Sequence, residues 1–518
     1  MKHSLLPFLG LAGISTVATA HAQQQQPAAN AGRKPNVIII LADDLGFGDL
    51  SCNGSSTIAT PNVDRVAGSG IRFTNAHATS SVSTPSRFGL LTGEYPWRHE
   101  RTGIANGDAG MIIQPGSRTM ATMMHEAGYT TAAVGKWHLG LGETGKQDWN
   151  GTVTPGLGTI GFDYSFIMAA TADRVPCVYI ENSRVYNYDP EAPIAISYTE
   201  NFAGEPTGRD NPEMLKLHPS HGHDMAIVNG IPRIGYMKGG GKALWKDEFI
   251  ADVITQKAVE FISDNCDKPF FLYFGTNDVH VPRAPHERFV GRSGMGARGD
   301  AILQFDWSVG QVMDALDRLG IADNTVVIIT SDNGPVVDDG YKDRAVELLG
   351  DHKPWHIYRG GKYSAYEAGT RIPFIIRWPE ARNAGTTSSA LVSQIDLYAS
   401  LADYCGIEIP DTEAADSRNC LKALRGDAKT ARKWVVEQNL NNTLSLICGD
   451  WKYITPNAYA PARINETDTE LGNSPQQQLY NLSKDIGERN NVAEHHAGRI
   501  RRMKSLLQQV IDKKHQQR

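Results

Sequence analysis

Two apolar runs that each end in polar residues constrain the fold of this chain more than any other feature. One run, Val-Ile-Ile-Ile-Leu, precedes Asp43 and Asp44. The second, Val-Val-Ile-Ile, precedes Asp332 and Asn333. Runs of β-branched residues of this length are typical of strands buried on both faces, as in a parallel sheet. Polar side chains at the carboxyl ends of such strands can converge, because the chain turns there and ligands bind at that edge.

The residues that follow these runs form a candidate ligand set made only of oxygen atoms. Three carboxylates and one amide oxygen suit a hard divalent cation, Ca²⁺ or Mg²⁺, and do not suit zinc. Either pair taken alone is more typical of a turn or a helix cap. Two pairs after two buried strands favour a metal site, and we predict one bound Ca²⁺ per chain.

Four further segments place basic or hydroxyl side chains beside predicted strands or helices. Residues 83–87 read Ser-Thr-Pro-Ser-Arg, and Leu-Thr-Gly follows at 91–93. Lys136 and His138 follow one apolar strand, His280 follows another, and Lys362 precedes a third. Each segment alone is typical of a turn, a loop with a surface lysine, or a histidine satisfied by hydrogen bonds.

Together and in this order, the segments resemble the type I, arylsulfatase-like sulfatases of the alkaline-phosphatase superfamily. The resemblance runs from about residue 36 to 379 and resumes at residues 478–491. In that family, a Cys or Ser that opens the x-Pro-x-Arg motif is oxidised by a maturation enzyme to formylglycine. The hydrate of this aldehyde supplies the nucleophile.

The resemblance implies a role for each site residue of this chain. The cation would be held by Asp43, Asp44, Asp332, Asn333 and the modified Ser83. Arg87 would fix the aldehyde hydrate, while Lys136 and Lys362 would neutralise the sulfate oxygens. His280, helped by Lys362, would protonate the departing alkoxide, and His138 would act on the second hydroxyl. Lys136, His280 and Lys362 are therefore the expected contacts to the sulfate ester.

Ser83 departs from the Cys that many members of the family carry at this position. The common aerobic maturation enzyme acts on Cys, so Ser83 implies a host with the radical type of maturation enzyme, or a Cys-to-Ser replacement. Two alternatives to a sulfatase stay open at this point. One is a phosphomonoesterase or phosphodiesterase of the same superfamily, and the other is a sulfated-glycan-binding protein in which Ser83 is unmodified.

Strands that alternate with helical patterns predict the α/β class, with a large, mostly parallel sheet flanked by helices. We expect a catalytic domain over residues 34–390, with long active-site insertions over 173–241. A core-closing helix begins near Gln394, and residues 449–454 and 478–482 are predicted strands of a smaller antiparallel sheet. The C-terminal α+β subdomain, 391–518, is expected to end in a helix. The apolar face of this helix consists of Ile500, Met503, Leu507, Val510 and Ile511.

The N-terminus predicts export to the periplasm or the extracellular space. Residues 1–22 have a short basic start, an apolar stretch and a small-x-small end, which is typical of a signal peptide. The glutamine-rich residues 23–33 are predicted to be a disordered tether. No later segment is long and apolar enough for a membrane span, and the net charge of −6 predicts no nucleic-acid partner.

The expected substrate is a sulfated carbohydrate, and the chain looks similar to the branch that acts on N-acetylgalactosamine 6-sulfate. Residues 173–176 and 332–355 are expected to line the sugar pocket. Asp173 and Arg174 are adjacent opposite charges that can offer an acceptor and a donor to one sugar hydroxyl. An axial O4, as in galactose, would suit such a pair, although a surface ion pair is the alternative. His218, His221 and His223 do not have the spacing of a closed zinc site, and a loop near the substrate is favoured.

Overall fold

The structure is a computed structural model, and it describes residues 33–380 and 382–513. The predicted signal peptide, residues 1–22, lies outside the described residues, as does the predicted tether except for Arg33. The chain from Lys34 onward forms one compact unit. The boundary near residue 390 between the catalytic domain and the C-terminal subdomain therefore stays a prediction. In the described residues, no helix combines the length and the apolar character that a membrane span requires.

Nine α-helices and 22 strands are distributed along the described residues. The helices are α1 (Pro61–Gly68), α2 (Ser83–Thr92), α3 (Met120–Glu126), α4 (Ile250–Asp264), α5 (Gly296–Arg318), α6 (Glu367–Thr370), α7 (Leu397–Tyr404), α8 (Leu421–Leu424) and α9 (Ala497–Asp512). The strands are β1 (Asn36–Ala42), β2 (Ile71–Phe73), β3 (Ala76–His77), β4 (Thr130–Lys136), β5 (Tyr164–Met168), β6 (Tyr179–Glu181), β7 (Arg184–Val185), β8 (Ala195–Ser197), β9 (Ile227–Val228), β10 (Ile231–Pro232), β11 (Tyr236–Lys238), β12 (Phe270–Gly275), β13 (Thr325–Ser331), β14 (Phe374–Arg377), β15 (Thr386–Ser388), β16 (Val392–Ser393), β17 (Trp434–Gln438), β18 (Leu444–Cys448), β19 (Trp451–Ile454), β20 (Arg463–Ile464), β21 (Thr469–Glu470) and β22 (Gln478–Asn481).

A ten-stranded sheet forms the centre of the molecule, with the order β15-β2-β14-β13-β1-β12-β4-β5-β6-β7. The five strands from β13 to β5 are mutually parallel. Antiparallel pairs occur on both sides of this block, at β13–β14 and at β5–β6. Strands β1 and β13 pair in register along their whole length and are fully buried. The predicted large, mostly parallel sheet is confirmed.

Two packed groups of helices cover the sheet, as predicted. Helix α5 contacts both α1 and α4, and α2, α3 and α7 contact one another and form the second group. Pro61 starts α1 at its first position, where a missing N–H is harmless. Thr60 takes the cap position, but its hydroxyl bonds to Ser51 and makes no cap to the helix.

A second, four-stranded antiparallel sheet follows in the C-terminal region, with the order β17-β18-β19-β22. Strands β19 and β22 correspond to the two strands predicted from residues 449–454 and 478–482, and this smaller sheet is confirmed. Helix α9 buries Ile500, Met503, Leu507 and Val510 against it. The prediction for Ile511 was wrong, because its position at the end of the helix leaves it 38% exposed.

The segment between β5 and α4 has little regular structure. It contains short strand pairs, β8 with β11 and β9 with β10, joined by long irregular stretches. His223 and Asp173 both lie in this segment and meet through a hydrogen bond. The weak periodicity of residues 173–241 therefore corresponds to a layer of loops, and part of this layer forms a wall of the pocket described below.

Candidate active site

Ser83 is the first residue of α2, and it lies at the carboxyl edge of the parallel sheet. Every residue of α2 is buried, and the side chain of Thr79 packs directly against Gly89. A Cβ at position 89 would lie 2.5 Å from Thr79 Oγ1, so glycine allows this close approach. Ser83 Oγ is 3.2 Å from Asn333 Oδ1 and 3.4 Å from Asp43 Oδ1.

The acidic residues that follow β1 and β13 converge, because these two strands are parallel neighbours. Asp43, Asp44, Asp332 and Asn333 are all fully buried. The backbone of Asp44 is left-handed, with φ of 59°, and its N–H donates to Asp332 Oδ1 at 3.2 Å. Asn333 Nδ2 donates to Asp44 Oδ1 at 2.7 Å. The amide oxygen of Asn333 consequently faces Ser83.

Three cationic side chains surround these carboxylates. Arg87 donates to Asp332 Oδ2 through Nε at 3.0 Å and Nη2 at 2.8 Å. Lys136 Nζ lies 2.5 Å from Asp43 Oδ2 and 3.2 Å from Ser83 Oγ. Lys362 Nζ lies 2.8 Å from Asp44 Oδ2. The structure thus brings together all the residues predicted for the metal and the sulfate.

Burial and charge act in opposite directions on these groups. Burial raises the pKa of Asp43 well above its ordinary value, and the neighbouring Asp332 and Asp44 add to this effect. Burial also tends to raise the pKa of Asp332, but the charges of Arg87 and Lys136 and the hydrogen bonds from Ser83 and Arg87 together outweigh it and lower that pKa. A buried cluster of carboxylates with one raised pKa is stabilised by further positive charge.

The donor set fits a hard divalent cation. Ligand atoms of Asp43, Asp44 and His280 all lie within 4.8 Å of one another. The set has three carboxylates and one amide oxygen that points toward Ser83, and no thiolate belongs to it. Oxygen ligands of this number and charge are those that Ca²⁺ and Mg²⁺ bind.

His138 presents an unprotonated ring nitrogen to the site. Its backbone is left-handed, with φ of 60°, and its Nε2 lies 3.0 Å from the carbonyl oxygen of Ala105. A carbonyl can only accept, so Nε2 carries the proton and Nδ1 keeps a lone pair. Nδ1 is buried and has no hydrogen-bond partner. Burial and the charge of Lys136 lower the pKa of His138 well below its ordinary value, so the ring is neutral.

His280 has the opposite tautomer. Its Nδ1 donates to the carbonyl oxygen of Val281 at 2.6 Å, and its Nε2 lies 3.9 Å from Asp44 Oδ2. Burial, together with the charge of Lys362, lowers the pKa of His280 to about 4. A negatively charged ligand beside Nε2 would raise this pKa, because it favours the protonated ring.

A pocket opens beside Ser83. It is lined by Val82, Ser83, Ile104, His138, Asp173, Arg174, His223, Ile234, His280, Asp339, Lys362 and Tyr363. Seven of the residues singled out in the sequence are in this wall, namely Ser83, His138, Asp173, Arg174, His223, His280 and Lys362. Arg87 and Lys136 are not part of this wall and are fully buried. Neither His218 nor His221 lines the pocket.

Sequence reasoning missed four lining residues, and it named Asp339 only within the broad segment 332–355. Ile104 and Ile234 are isolated apolar residues in irregular loops, so no periodicity marks them. Tyr363 could have been found from the sequence, because it directly follows the predicted site residue Lys362. Asp339 ion-pairs with Lys362 at 2.8 Å and accepts from the Tyr363 hydroxyl at 2.9 Å. Val82, the residue before Ser83, was not singled out either.

Comparison with known proteins agrees with this geometry. The sequence pattern of the family named Sulfatase matches residues 35–407, which is most of the chain. The chain belongs to the sulfatase family. It is accordingly a sulfuric ester hydrolase, and the resemblance drawn from Ser83 and the strand-end residues is confirmed.

Two relatives show how far the similarity extends. An N-acetylgalactosamine-6-O-sulfatase of Bacteroides thetaiotaomicron is 55% identical over 506 residues, which cover 98% of each chain. The steryl-sulfatase of Mus musculus is 32% identical over 89% of this chain and 79% of its own length. The sulfatase assignment thus holds across bacterial and mammalian relatives.

Solved structures agree with the fold. A structure from work on glycosaminoglycan metabolism by Bacteroides thetaiotaomicron has a TM-score of 0.91 and 57% identity, and covers 92% of this chain and 99% of its own. A sulfatase from Pseudoalteromonas sp. has a TM-score of 0.68 at 23% identity, and covers 93% of this chain and 90% of its own. This second likeness bears on the fold alone.

Proposed function

We propose that this sulfatase removes 6-O-sulfate groups from N-acetylgalactosamine or galactose units of sulfated glycans. The observation that carries the proposal is the position of Ser83, which lines the pocket and has its Oγ 3.2 Å from both Asn333 Oδ1 and Lys136 Nζ. The choice of sugar rests on the 55% identical relative, which is named an N-acetylgalactosamine-6-O-sulfatase.

The proposed cation is Ca²⁺, held by Asp43, Asp44, Asp332, Asn333 and the modified Ser83. It would supply positive charge that polarises the nucleophile and the sulfate oxygens. The five residues contact one another in the structure, and the three carboxylates are kept apart from water by burial. Asn333 is oriented by its own donation to Asp44, so its oxygen is free to serve as a ligand.

We propose that Ser83 is converted to formylglycine, whose hydrate supplies one hydroxyl to attack sulfur and a second to restore the aldehyde. Arg87 is anchored by Asp332 and by the hydroxyl of Tyr273 at 3.1 Å, so it can orient groups at position 83. Lys136, at 3.2 Å from Ser83 Oγ, stabilises negative charge on that oxygen. Such preorganised charges usually supply the largest part of a rate enhancement.

The two histidines divide the proton transfers between them. His138 carries a free lone pair on Nδ1, which suits a base that takes a proton from the second hydroxyl. His280 directs Nε2 toward the side of Asp44 and Lys362, where a leaving oxygen would sit. An arriving sulfate ester would raise the low pKa of His280, and the protonated ring could then donate to the departing alkoxide, with Lys362 assisting.

We assign the recognition of the sugar to Arg174, which Asp173 holds in place. Arg174 Nη1 donates to both oxygens of Asp173, at 3.0 and 3.1 Å, and both residues line the pocket. The Nε of Arg174 is buried without a hydrogen-bond partner, so it is available to a ligand. A donor fixed in this way would favour an axial O4 over an equatorial one. The predicted direct contact between Asp173 and the sugar is not favoured, because both Asp173 oxygens already accept two hydrogen bonds.

The proposal includes export to the periplasm or the extracellular space, and maturation by an enzyme of the radical type. Both rest on the sequence, through the pattern of residues 1–22 and the Ser at position 83. The test of the function is sulfate release from N-acetylgalactosamine 6-sulfate by protein produced with and without a radical maturation enzyme. We expect turnover only with maturation, and turnover in its absence would contradict the formylglycine nucleophile.

A further inference from the structure

One carboxylate of the pocket wall, Asp339, has unused acceptor capacity. A carboxylate has about four lone-pair positions. Asp339 uses two of them, because Oδ2 accepts from Lys362 at 2.8 Å and Oδ1 accepts from the Tyr363 hydroxyl at 2.9 Å. Each of its oxygens therefore keeps one lone pair.

Asp173, the other carboxylate in the wall, is saturated. Its Oδ1 accepts from the Thr171 hydroxyl and from Arg174, and its Oδ2 accepts from Arg174 and from His223 at 2.9 Å. Its side chain is only 3% exposed. Asp173 consequently has no lone pair left for a ligand, although Arg174 has donors to offer.

His223 reinforces the supporting role of Asp173. Its Nε2 faces Asp173 Oδ2 and its Nδ1 lies 3.0 Å from the carbonyl oxygen of His221. Neither oxygen can donate, so both ring nitrogens carry protons and the ring is cationic. Burial opposes this charge, but the hydrogen bond to Asp173 raises the pKa of His223 above its ordinary value. Asp173 is thus fixed between two cations.

The position of Asp339 is set by the same histidine. Gly340 takes a φ of 115°, and a Cβ there would lie 2.1 Å from the His223 ring. The loop that carries Asp339 therefore packs directly on His223. The Tyr341 ring also contacts His223, with 4.9 Å between the ring centroids.

A carboxylate beside Lys362 weakens the attraction of this wall for a sulfate anion, because it offsets the ammonium charge. A hydrogen bond from the uncharged part of the ligand to Asp339 would offset this loss of attraction, and it accounts for a carboxylate beside Lys362. If Lys362 binds a 6-O-sulfate, the nearest ring hydroxyl is the one on C4, since only C5 separates C4 from C6.

Building on the function proposed above, we propose that Asp339 is a specificity-determining residue that accepts a hydrogen bond from the sugar 4-hydroxyl. Arg174 donates to the same hydroxyl, and Asp173 and His223 are positioning residues that hold Arg174. The acceptor and the donor then come from two different loops, and only a hydroxyl between them satisfies both.

The test uses the Ser83→Ala protein, which binds without turnover, and calorimetric titration. The ligands are methyl 6-O-sulfo-N-acetyl-β-galactosaminide, its 4-deoxy and 3-deoxy analogues, and inorganic sulfate. Asp339→Ala should weaken binding of the parent sugar about tenfold, as loss of a buried hydrogen bond does. With Asp339 present, the 4-deoxy analogue should bind about tenfold more weakly than the parent sugar. Asp339→Ala should not weaken the binding of the 4-deoxy analogue any further.

Two controls separate recognition from a structural role. Asp339→Ala should bind inorganic sulfate as tightly as before or more tightly, because a negative charge is removed. Asp338→Ala removes the neighbouring carboxylate, which bonds to Ser220 and to the Gly340 N–H, and should change the affinity for the sugar by less than about threefold.

The assignment of Asp339 would be overturned if Asp339→Ala and removal of the 4-hydroxyl weakened binding additively. It would also be overturned if Asp339→Ala weakened the binding of inorganic sulfate as much as that of the sugar. The 4-deoxy comparison on the unsubstituted pocket needs no variant at Asp339, so it stands even if Asp339→Ala does not fold. Failure of the Ser83→Ala protein to bind any of the sulfated sugars would count against the proposed substrate instead.

Discussion

Lys452 of the C-terminal sheet donates to Glu367 of helix α6, with 2.9 Å between Nζ and Oε1, and neither side chain is exposed to solvent. The same ammonium lies 3.4 Å from Glu437 and 3.7 Å from Glu488. Glu367 comes five residues after Lys362 in the sequence. The C-terminal sheet therefore holds the segment that carries one of the two proposed sulfate-binding lysines.

The same sheet also holds the segment before Ser83. Gln438 of β17 donates its backbone N–H to Thr79, and its carbonyl accepts from Ser81. His77 Nδ1 lies 2.7 Å from Glu437 Oε1. Ser81 in turn accepts from the backbone N–H of Tyr363. We infer that the buried cluster of Lys452, Glu367, Glu437, Glu488 and His77 stabilises the two site segments together.

Glu488 makes this cluster sensitive to pH. Burial, together with the charge of Glu367, raises its pKa to about 8. A raised carboxyl pKa contributes stability that is complete below the unfolded value of 4.5 and is lost as the pH rises to about 8. The Glu488→Gln variant cannot ionise at this position. It leaves the residues that contact Glu488, namely Lys452, Glu367 and Arg359, unchanged.

Equilibrium unfolding in urea at about pH 5 and about pH 8.5 should show this directly. Relative to Glu488→Gln, the unsubstituted protein should lose up to about 5 kcal/mol of unfolding free energy between the two pH values. An unchanged difference between the two proteins would mean that Glu488 is ionised throughout.

The second prediction concerns the cation. Chelation should abolish sulfatase activity, and Ca²⁺ should restore it. Asp332→Asn should lower kcat/KM by at least about 100-fold, because both a ligand charge and the anchor of Arg87 are weakened. Added Ca²⁺ should raise the thermal midpoint of the unsubstituted protein and leave that of Asp332→Asn unchanged. Full activity after exhaustive chelation would remove the metal from the account.

The third prediction separates the two histidines. His280→Ala should lower kcat/KM for a sugar sulfate by about 100-fold or more, since an alkoxide leaves poorly without a proton. For an aryl sulfate with an acidic phenol as leaving group, the same change should matter less than about tenfold. His138→Ala should slow both substrates alike. Equal losses from His280→Ala on the two substrates would argue against its role as the acid.

The fourth prediction concerns the choice of sugar. Kinetics on 6-sulfated galactose, N-acetylgalactosamine and N-acetylglucosamine should favour the first two by about tenfold to 100-fold. Arg174→Ala should remove this preference, because Arg174 supplies the donor to O4. Asp173→Ala should do the same indirectly, since Arg174 loses its anchor. If both variants lower activity equally on every sugar, the pair does not select the sugar.

The strands and the strand-end residues could be predicted because their signals are local. Five consecutive apolar residues before Asp43 and Asp44 specify a buried strand and its end. The motif at Ser83 likewise lies within one short segment. The packing of the Asp339 loop on His223 has no such signal, because 116 positions separate the two residues in the sequence and they meet only when two long loops pack.

The ion cluster around Lys452 was also invisible in the sequence. Lys452 and Glu367 are 85 residues apart, and both are charged residues of a type that is usually exposed. Their burial follows from how the smaller sheet docks on α6, which no periodicity encodes. The tautomers of His138 and His280 similarly depend on which carbonyl each ring meets.

Mass spectrometry of the peptide that contains Ser83, combined with sulfate release by the same preparations, tests the central claim most directly. The account predicts that active protein carries a residue lighter than serine by two hydrogen atoms at position 83, and that activity scales with its fraction. Ser83→Ala should be inactive with an unchanged thermal midpoint, while Ser86→Ala, on the same helix and outside the pocket wall, should stay active. Sulfate release by protein in which Ser83 is entirely unmodified would contradict the account.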